Sequence, residues 1–174
     1  MNPVKSALAV AMAVAAFAVN AQGAGPTDPQ IAAIVVTANQ VDIDAGRLAE
    51  SRSTNADVMA FGKMMVTDHT GVNQAAVALV TRLHVTPEDN PTAESLKKGG
   101  EQNLAHLDTL AGPAFDKAYI DHEVAYHQAV IAAVDQTLIP NAHNADLKAL
   151  LVKVRPAFVA HLEHAKALQA QLGG

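Results

Sequence analysis

Four stretches of this 174-residue chain carry an ionisable side chain where their periodicity asks for an apolar one. Asp42 lies between Val41 and Ala45. His69 lies between Met65 and Val72, on the line of Phe61 and Ala76. His127 lies between Tyr126 and Val130, with Glu123 one turn before it, and His161 lies between Phe158 and Leu162. At about 100° per residue, Asp42 and the three histidines each fall within roughly 60° of the centre of their apolar stripe. Imidazole nitrogens and carboxylates are ligands that zinc, copper and iron accept. A polar core network is the competing reading. A single buried histidine is commonly only hydrogen-bonded, and an Asp–His bond relieves a buried carboxylate without any metal.

The elements that must position these residues are helices. Aromatics make up 3% of the chain, while Ala, Val and Leu abound, a composition that suits helices packed on helices. A first helix is expected from an N-cap at Asp28, with Pro29 in its first turn, to near Arg52. Ser53-Thr54-Asn55 supply the cap of a second, whose stripe runs from Val58 to Leu83. His84 to Pro91 reads as a loop, followed by a shorter helix from about Thr92 to Ala111, weakened by Gly99-Gly100. Gly112-Pro113 opens another long helix ending at Ile139-Pro140, and Asn141 to Asn144 turns the chain into the last, from Leu147 to Leu168. Four long amphipathic helices with one longer crossover, itself containing a short helix, predict an up-down four-helix bundle. With a rise of 1.5 Å per residue, Asp42 and His69 lie roughly 17 and 22 Å from the turn that joins their helices. His127 and His161 lie roughly 20 and 27 Å from theirs, so all four are expected in one middle layer.

The remaining candidates look ordinary. His84 and His143 fall in turns and His106 on the weak helix. His122 and His164 lie roughly 100° from their stripe centres, on expected solvated flanks, although His164 is near enough to His161 to support it. Met65 reads as core filler, with copper the metal a thioether would suit. Pro156, inside the last helix, is expected to kink the turn before His161.

The chain's start reads as an export signal. Lys5 precedes an apolar run from Ala7 to Val19, and Val19-Asn20-Ala21 offers a cleavage site before Gln22. The run is shorter than the roughly 20 residues of a membrane span, and no cysteine is present for a lipid anchor. A signal peptide over 1–21 and one domain over 22–174 are therefore expected, in the periplasm or secreted. The net charge of −5 becomes −6 without Lys5, which disfavours nucleic acid and anionic membranes as partners. Absence of cysteine removes disulfides and thiolate chemistry.

In several segments the chain resembles the bacterial family catalogued as domain of unknown function 4142, exported helical proteins often labelled outer-membrane proteins. The matching segments are Val41-Asp42-Ile43-Asp44-Ala45-Gly46, Met65-Val66-Thr67-Asp68-His69-Thr70, and Phe115-Asp116-Lys117-Ala118-Tyr119-Ile120. The His127 region and Pro156 followed by His161-Leu162 continue the match, which runs from about Asp28 to Leu168. The resemblance implies a ferritin-like four-helix fold and export, and carries no established activity. Two positions depart from the family's pattern: Asp42 stands where its members usually have Glu, and Tyr126 where they usually have Asp. Ferritin-like oxidases hold two irons with paired Glu-x-x-His motifs, and this chain has no Glu-x-x-His at all. The expected centre is thus a single site for zinc, copper or iron, with Asp42, His69, His127, His161 and Glu123 as candidate ligands. The leading reading is a periplasmic metal-binding or metal-buffering protein with a role in envelope stress. A structural or interaction module and a mononuclear metalloenzyme are the alternatives.

Overall fold

The computed structural model describes residues 25–173, and the expected signal peptide lies outside them. Among the described residues every regular element is helical. α1 (Asp28–Arg52) is capped by Thr27, whose side chain accepts from the Gln30 amide while the Gln30 side chain accepts from the Thr27 amide. This capping box moves the N-cap one residue ahead of Asp28, the expected cap. It frees the Asp28 carboxylate to accept from the backbone amides of His143 and Asn144, both at 2.9 Å. The start of α1 is thereby tied to the turn before the last helix.

α2 (Ala56–Arg82) begins at the Asn55 cap, and α3 (Pro91–Asp108) at Asn90. α3 stops three residues short of the expected Ala111. α4 (Gly112–Ala133) does not run straight to Pro140 as expected: a π-helical turn, Val134–Leu138, leads to the short α5 (Ile139–Asn141). The reason is local. Pro140 has no N–H to give Gln136 in an α-helical ladder, and the Ile139 amide reaches back five residues to the Val134 carbonyl. α6 (Ala145–Leu172) is capped by Asn144 and continues through Pro156. No described helix is long and apolar enough to cross a membrane.

α1 packs along α2 and against α3, and α4 packs along α6. At the α1–α2 crossing a Cβ on Gly46 would stand 2.7 Å from the Gly62 carbonyl oxygen, and one on Gly62 would stand 2.8 Å from that of Gly46. Only paired glycines let the two backbones touch. Gly100, which weakens α3 intrinsically, lets it lie against Val41: a Cβ there would meet the valine side chain at 2.8 Å. Buried Ser53 donates to Asp116 at 2.6 Å, holding the α1–α2 turn against α4.

The core is split in two. One apolar cluster gathers Ile31, Ile34, Leu79, Val130, Leu151 and Phe158; the other gathers Val58, Phe61, Met65, Phe115, Tyr119 and Leu168. Along α1 the change from one to the other falls between Val41 and Ala45, along α2 between Met65 and Ala76. Along α4 it falls between Val124 and Tyr126, and along α6 between Phe158 and Leu162. Asp42, His69, His127 and His161 stand at or beside these four changeovers, in the level where hydrophobic contact is interrupted.

Candidate metal centre

Asp42, His69, Glu123, His127 and His161 are all buried, none more than 3% exposed. The three imidazoles face one another, with ring centroids 5.2 Å (His69–His161), 5.5 Å (His127–His161) and 5.6 Å (His69–His127) apart. One nitrogen from each lies within 4.8 Å of the other two.

Each ring spends one nitrogen on an acceptor. His69 Nδ1 is 2.7 Å from Asn39 Oδ1, and Asn39 donates its own amide hydrogen to the Val35 carbonyl at 2.7 Å, which fixes the amide's orientation. His127 Nδ1 is 3.1 Å from the Glu123 carbonyl oxygen one turn back, and His161 Nε2 is 2.9 Å from Asp68 Oδ2. All three partners present acceptors, so each imidazole must bring the hydrogen, and its tautomer follows. The opposite nitrogens, His69 Nε2, His127 Nε2 and His161 Nδ1, are buried without any hydrogen-bond partner. In the neutral rings these are lone pairs. Leaving one buried polar atom unsatisfied costs about 1–3 kcal/mol. A cation among them answers all three, and imidazoles oriented through their other nitrogen are the usual arrangement of metal ligands.

The two carboxylates gather beside His127. Asp42, Glu123 and His127 each offer a ligand atom within 4.8 Å of the other two. Asp42 Oδ2 is 3.5 Å from His69 Nδ1, and Glu123 Oε2 is 3.4 Å from His127 Nδ1, both longer than the bonds those nitrogens already make. Asp42 Oδ1 and both Glu123 carboxylate oxygens have no donor. The five residues thus form two groups sharing His127, in place of the single convergence of Asp42 with three imidazoles that the sequence suggested. Asp42, on α1, borders both groups, since its Oδ2 is also 3.5 Å from His69 Nδ1.

Electrostatics divides the same residues. Burial pushes the Asp42 carboxyl well above its usual range, with Glu123 adding to the rise and His127 opposing it. Burial drives His69 well below 6.5, helped by His127 and His161. His161 is also lowered, by burial first, against its hydrogen bond to Asp68. Burial pulls His127 the same way, but Asp42 and Glu123 outweigh it and raise it to about 9. His69 and His161 therefore stay in the neutral form that coordinates a metal. His127 must release a proton to join them, and a bound cation supplies the field that favours this.

The other histidines do not reach the centre. His84 is exposed in left-handed backbone (φ 54°) just beyond α2, and His106 and His143 are exposed. His164 is exposed with its ring edge against Phe61, and takes no part in holding His161. His122 is a correction: it is half-buried, because its ring stacks on Tyr126 at 5.5 Å. Tyr126 hydrogen-bonds the Ala38 carbonyl at 3.1 Å, bracing α4 on α1. Met65 is fully buried among its apolar neighbours. The residues that orient the imidazoles, Asn39 and Asp68, were not singled out in the sequence. Their only signal was a polar side chain one position from a candidate ligand, for Asp68, or three positions from one, for Asn39.

Fold and site together define an all-helical protein whose split core carries a buried His/Asp/Glu cluster able to hold a metal ion. The model of the family described as Domain of unknown function (DUF4142) matches residues 13–168, and the chain belongs to that family. No curated protein and no solved structure matches it.

Proposed function

We propose that this protein is an exported metal-binding protein that holds one transition-metal ion, zinc, copper or iron, on His69, His127 and His161. The single observation that carries the reading is the set of three partnerless nitrogens on imidazoles whose tautomers are fixed by Asn39, Glu123 and Asp68. Asp42 and Glu123 supply the adjacent negative charge, and the ion takes one open or carboxylate-filled position beyond its three nitrogens. Four long helices, with α3 in the crossover between α2 and α4, support a ferritin-like four-helix bundle as the scaffold. The apolar run from Ala7 to Val19 supports export through a signal peptide cleaved before Gln22. Metal buffering in the cell envelope is the role that fits such a site.

One observation favours a second reading. His127, raised to about 9 beside Asp42 and Glu123, makes a charged polar core that holds together without metal. Elemental analysis of protein purified from its native compartment, with melting curves before and after chelation, separates the two. The metal reading expects a stoichiometric ion and a lower melting temperature after chelation, because a ligand held only by the folded state stabilises it. His127→Ala should abolish both, and His84→Ala should leave both intact. Metal-free protein whose melting ignores chelator would establish the network reading instead.

A further inference from the structure

An ion on the three imidazoles leaves two carboxylates unexplained. Asp42 is 3% exposed and Glu123 0%, and with His127 they make a second group whose ligand atoms lie within 4.8 Å of one another. His69 and His161 do not belong to that group, so one ion does not serve all five side chains.

Burying a carboxylate is costly unless a charge or a set of donors answers it. Among the described residues neither Asp42 nor Glu123 pairs with a lysine or an arginine. Their ionic neighbours are His69 Nδ1, 3.5 Å from Asp42 Oδ2, and His127 Nδ1, 3.4 Å from Glu123 Oε2. Both nitrogens already give their hydrogen elsewhere, to Asn39 Oδ1 and to the Glu123 carbonyl. Asp42 Oδ1 and both Glu123 carboxylate oxygens therefore stay without a donor. One turn before Glu123 on the same face of α4, the Tyr119 hydroxyl is also buried without a partner.

Donor type separates this group from the first. Imidazole suits zinc, copper and iron, whereas carboxylate oxygen suits the harder manganese, magnesium and calcium. Two carboxylates also match the charge of one divalent ion. We propose that Asp42 and Glu123 hold a second cation, a hard divalent ion of the manganese class, beside the ion on the imidazoles, with His127 common to both groups. The proposal goes beyond the metal reading above, and makes the centre a pair of unlike sites.

Manganese(II) is the probe, because it stands lowest in the affinity order of the first-row divalent metals and does not displace zinc from nitrogen ligands. The full chain, loaded with one equivalent of zinc, is titrated with manganese(II) while electron paramagnetic resonance counts the free ion. One manganese should bind per chain with the zinc retained. Asp42→Asn should weaken manganese by at least about tenfold, the least expected even for disturbing a ligand's support, and leave one zinc per chain. Glu123→Gln gives the same readout, and serves if Asp42→Asn does not fold. Asp44→Asn, on the same helix but half-exposed, should change neither metal. His161→Ala should do the reverse of Asp42→Asn, losing zinc and keeping manganese, since His161 belongs to the first group alone. Zinc retained with no manganese bound, or manganese affinity unchanged in both carboxylate variants, would overturn the second site and leave the metal reading intact. Manganese bound and lost in both carboxylate variants, with no zinc held by wild type, would support the second site and strike the metal reading.

Discussion

His161 Nε2 stands 2.9 Å from Asp68 Oδ2, joining α6 to α2 across 93 residues of sequence and leaving His161 Nδ1 buried without a partner. Asp68 precedes His69 directly, yet it orients a different histidine. Consecutive residues on α2 therefore serve two corners of one centre.

Asp68→Ala removes the acceptor that sets the His161 tautomer. Because Asp68 is 45% exposed, the fold should lose no more than about 1 kcal/mol. Metal affinity should fall by about 10–100-fold, the range for losing a partner that orients a ligand. Competition titration with a zinc indicator reads this directly, and an unchanged affinity would mean that Asp68 does not position His161.

Asn39→Leu should be costlier to the fold. Asn39 is 3% exposed and is the partner of His69 Nδ1, so its loss leaves that buried N–H unpaired at about 1–3 kcal/mol. Nitrogen NMR of the imidazoles should show His69 losing its single tautomer. A His69 spectrum identical to wild type would contradict the assignment.

Gly46→Ala should destabilise by about 1–3 kcal/mol, because the new Cβ would press on the Gly62 carbonyl at 2.7 Å. Gly71→Ala, also in a helix and with nothing within 4 Å of the added carbon, should stabilise by about 0.5–1 kcal/mol. Opposite shifts in urea midpoint are expected. A shift of the same sign for both would discredit the close α1–α2 crossing.

The stability of metal-free protein should carry opposite pH-dependent contributions from two of its buried histidines. His127, raised to about 9, contributes stability that is complete below about 6.5 and is lost as pH climbs through about 9. His69, lowered by burial, acts oppositely: its contribution is present above about 6.5 and is lost as pH falls toward its depressed value. Chemical denaturation across pH 4–10 should trace both contributions, with His127→Gln shrinking the loss near pH 9 and leaving the part due to the raised Asp42 carboxyl. A loss near pH 9 that this substitution leaves at full size would show that His127 is not its source.

Much of this centre was legible before the fold, for a physical reason. A side chain on an apolar helical stripe has nowhere to go but inward, so periodicity alone brings Asp42, His69, His127 and His161 to one level between the two core clusters. Direction within that level is not periodic. Whether one point can serve Asp42 and all three imidazoles depends on the rotation of α1 against its neighbours, which no single helix encodes, and so the division into two groups was not foreseen. Asn39 and Asp68 escaped notice because their partners lie on other helices. The π-helical turn had a visible cause in Pro140, but a missing N–H announces only that the ladder must change, and neighbouring packing selects the change.

Anomalous X-ray scattering from a zinc-loaded crystal tests the central claim most directly. A metal held by the three imidazoles predicts one dominant peak, roughly 2.0–2.1 Å from His69 Nε2, His127 Nε2 and His161 Nδ1. A peak only at exposed His84, His106 or His143, or a core with no peak and His127 paired to Asp42, would contradict it.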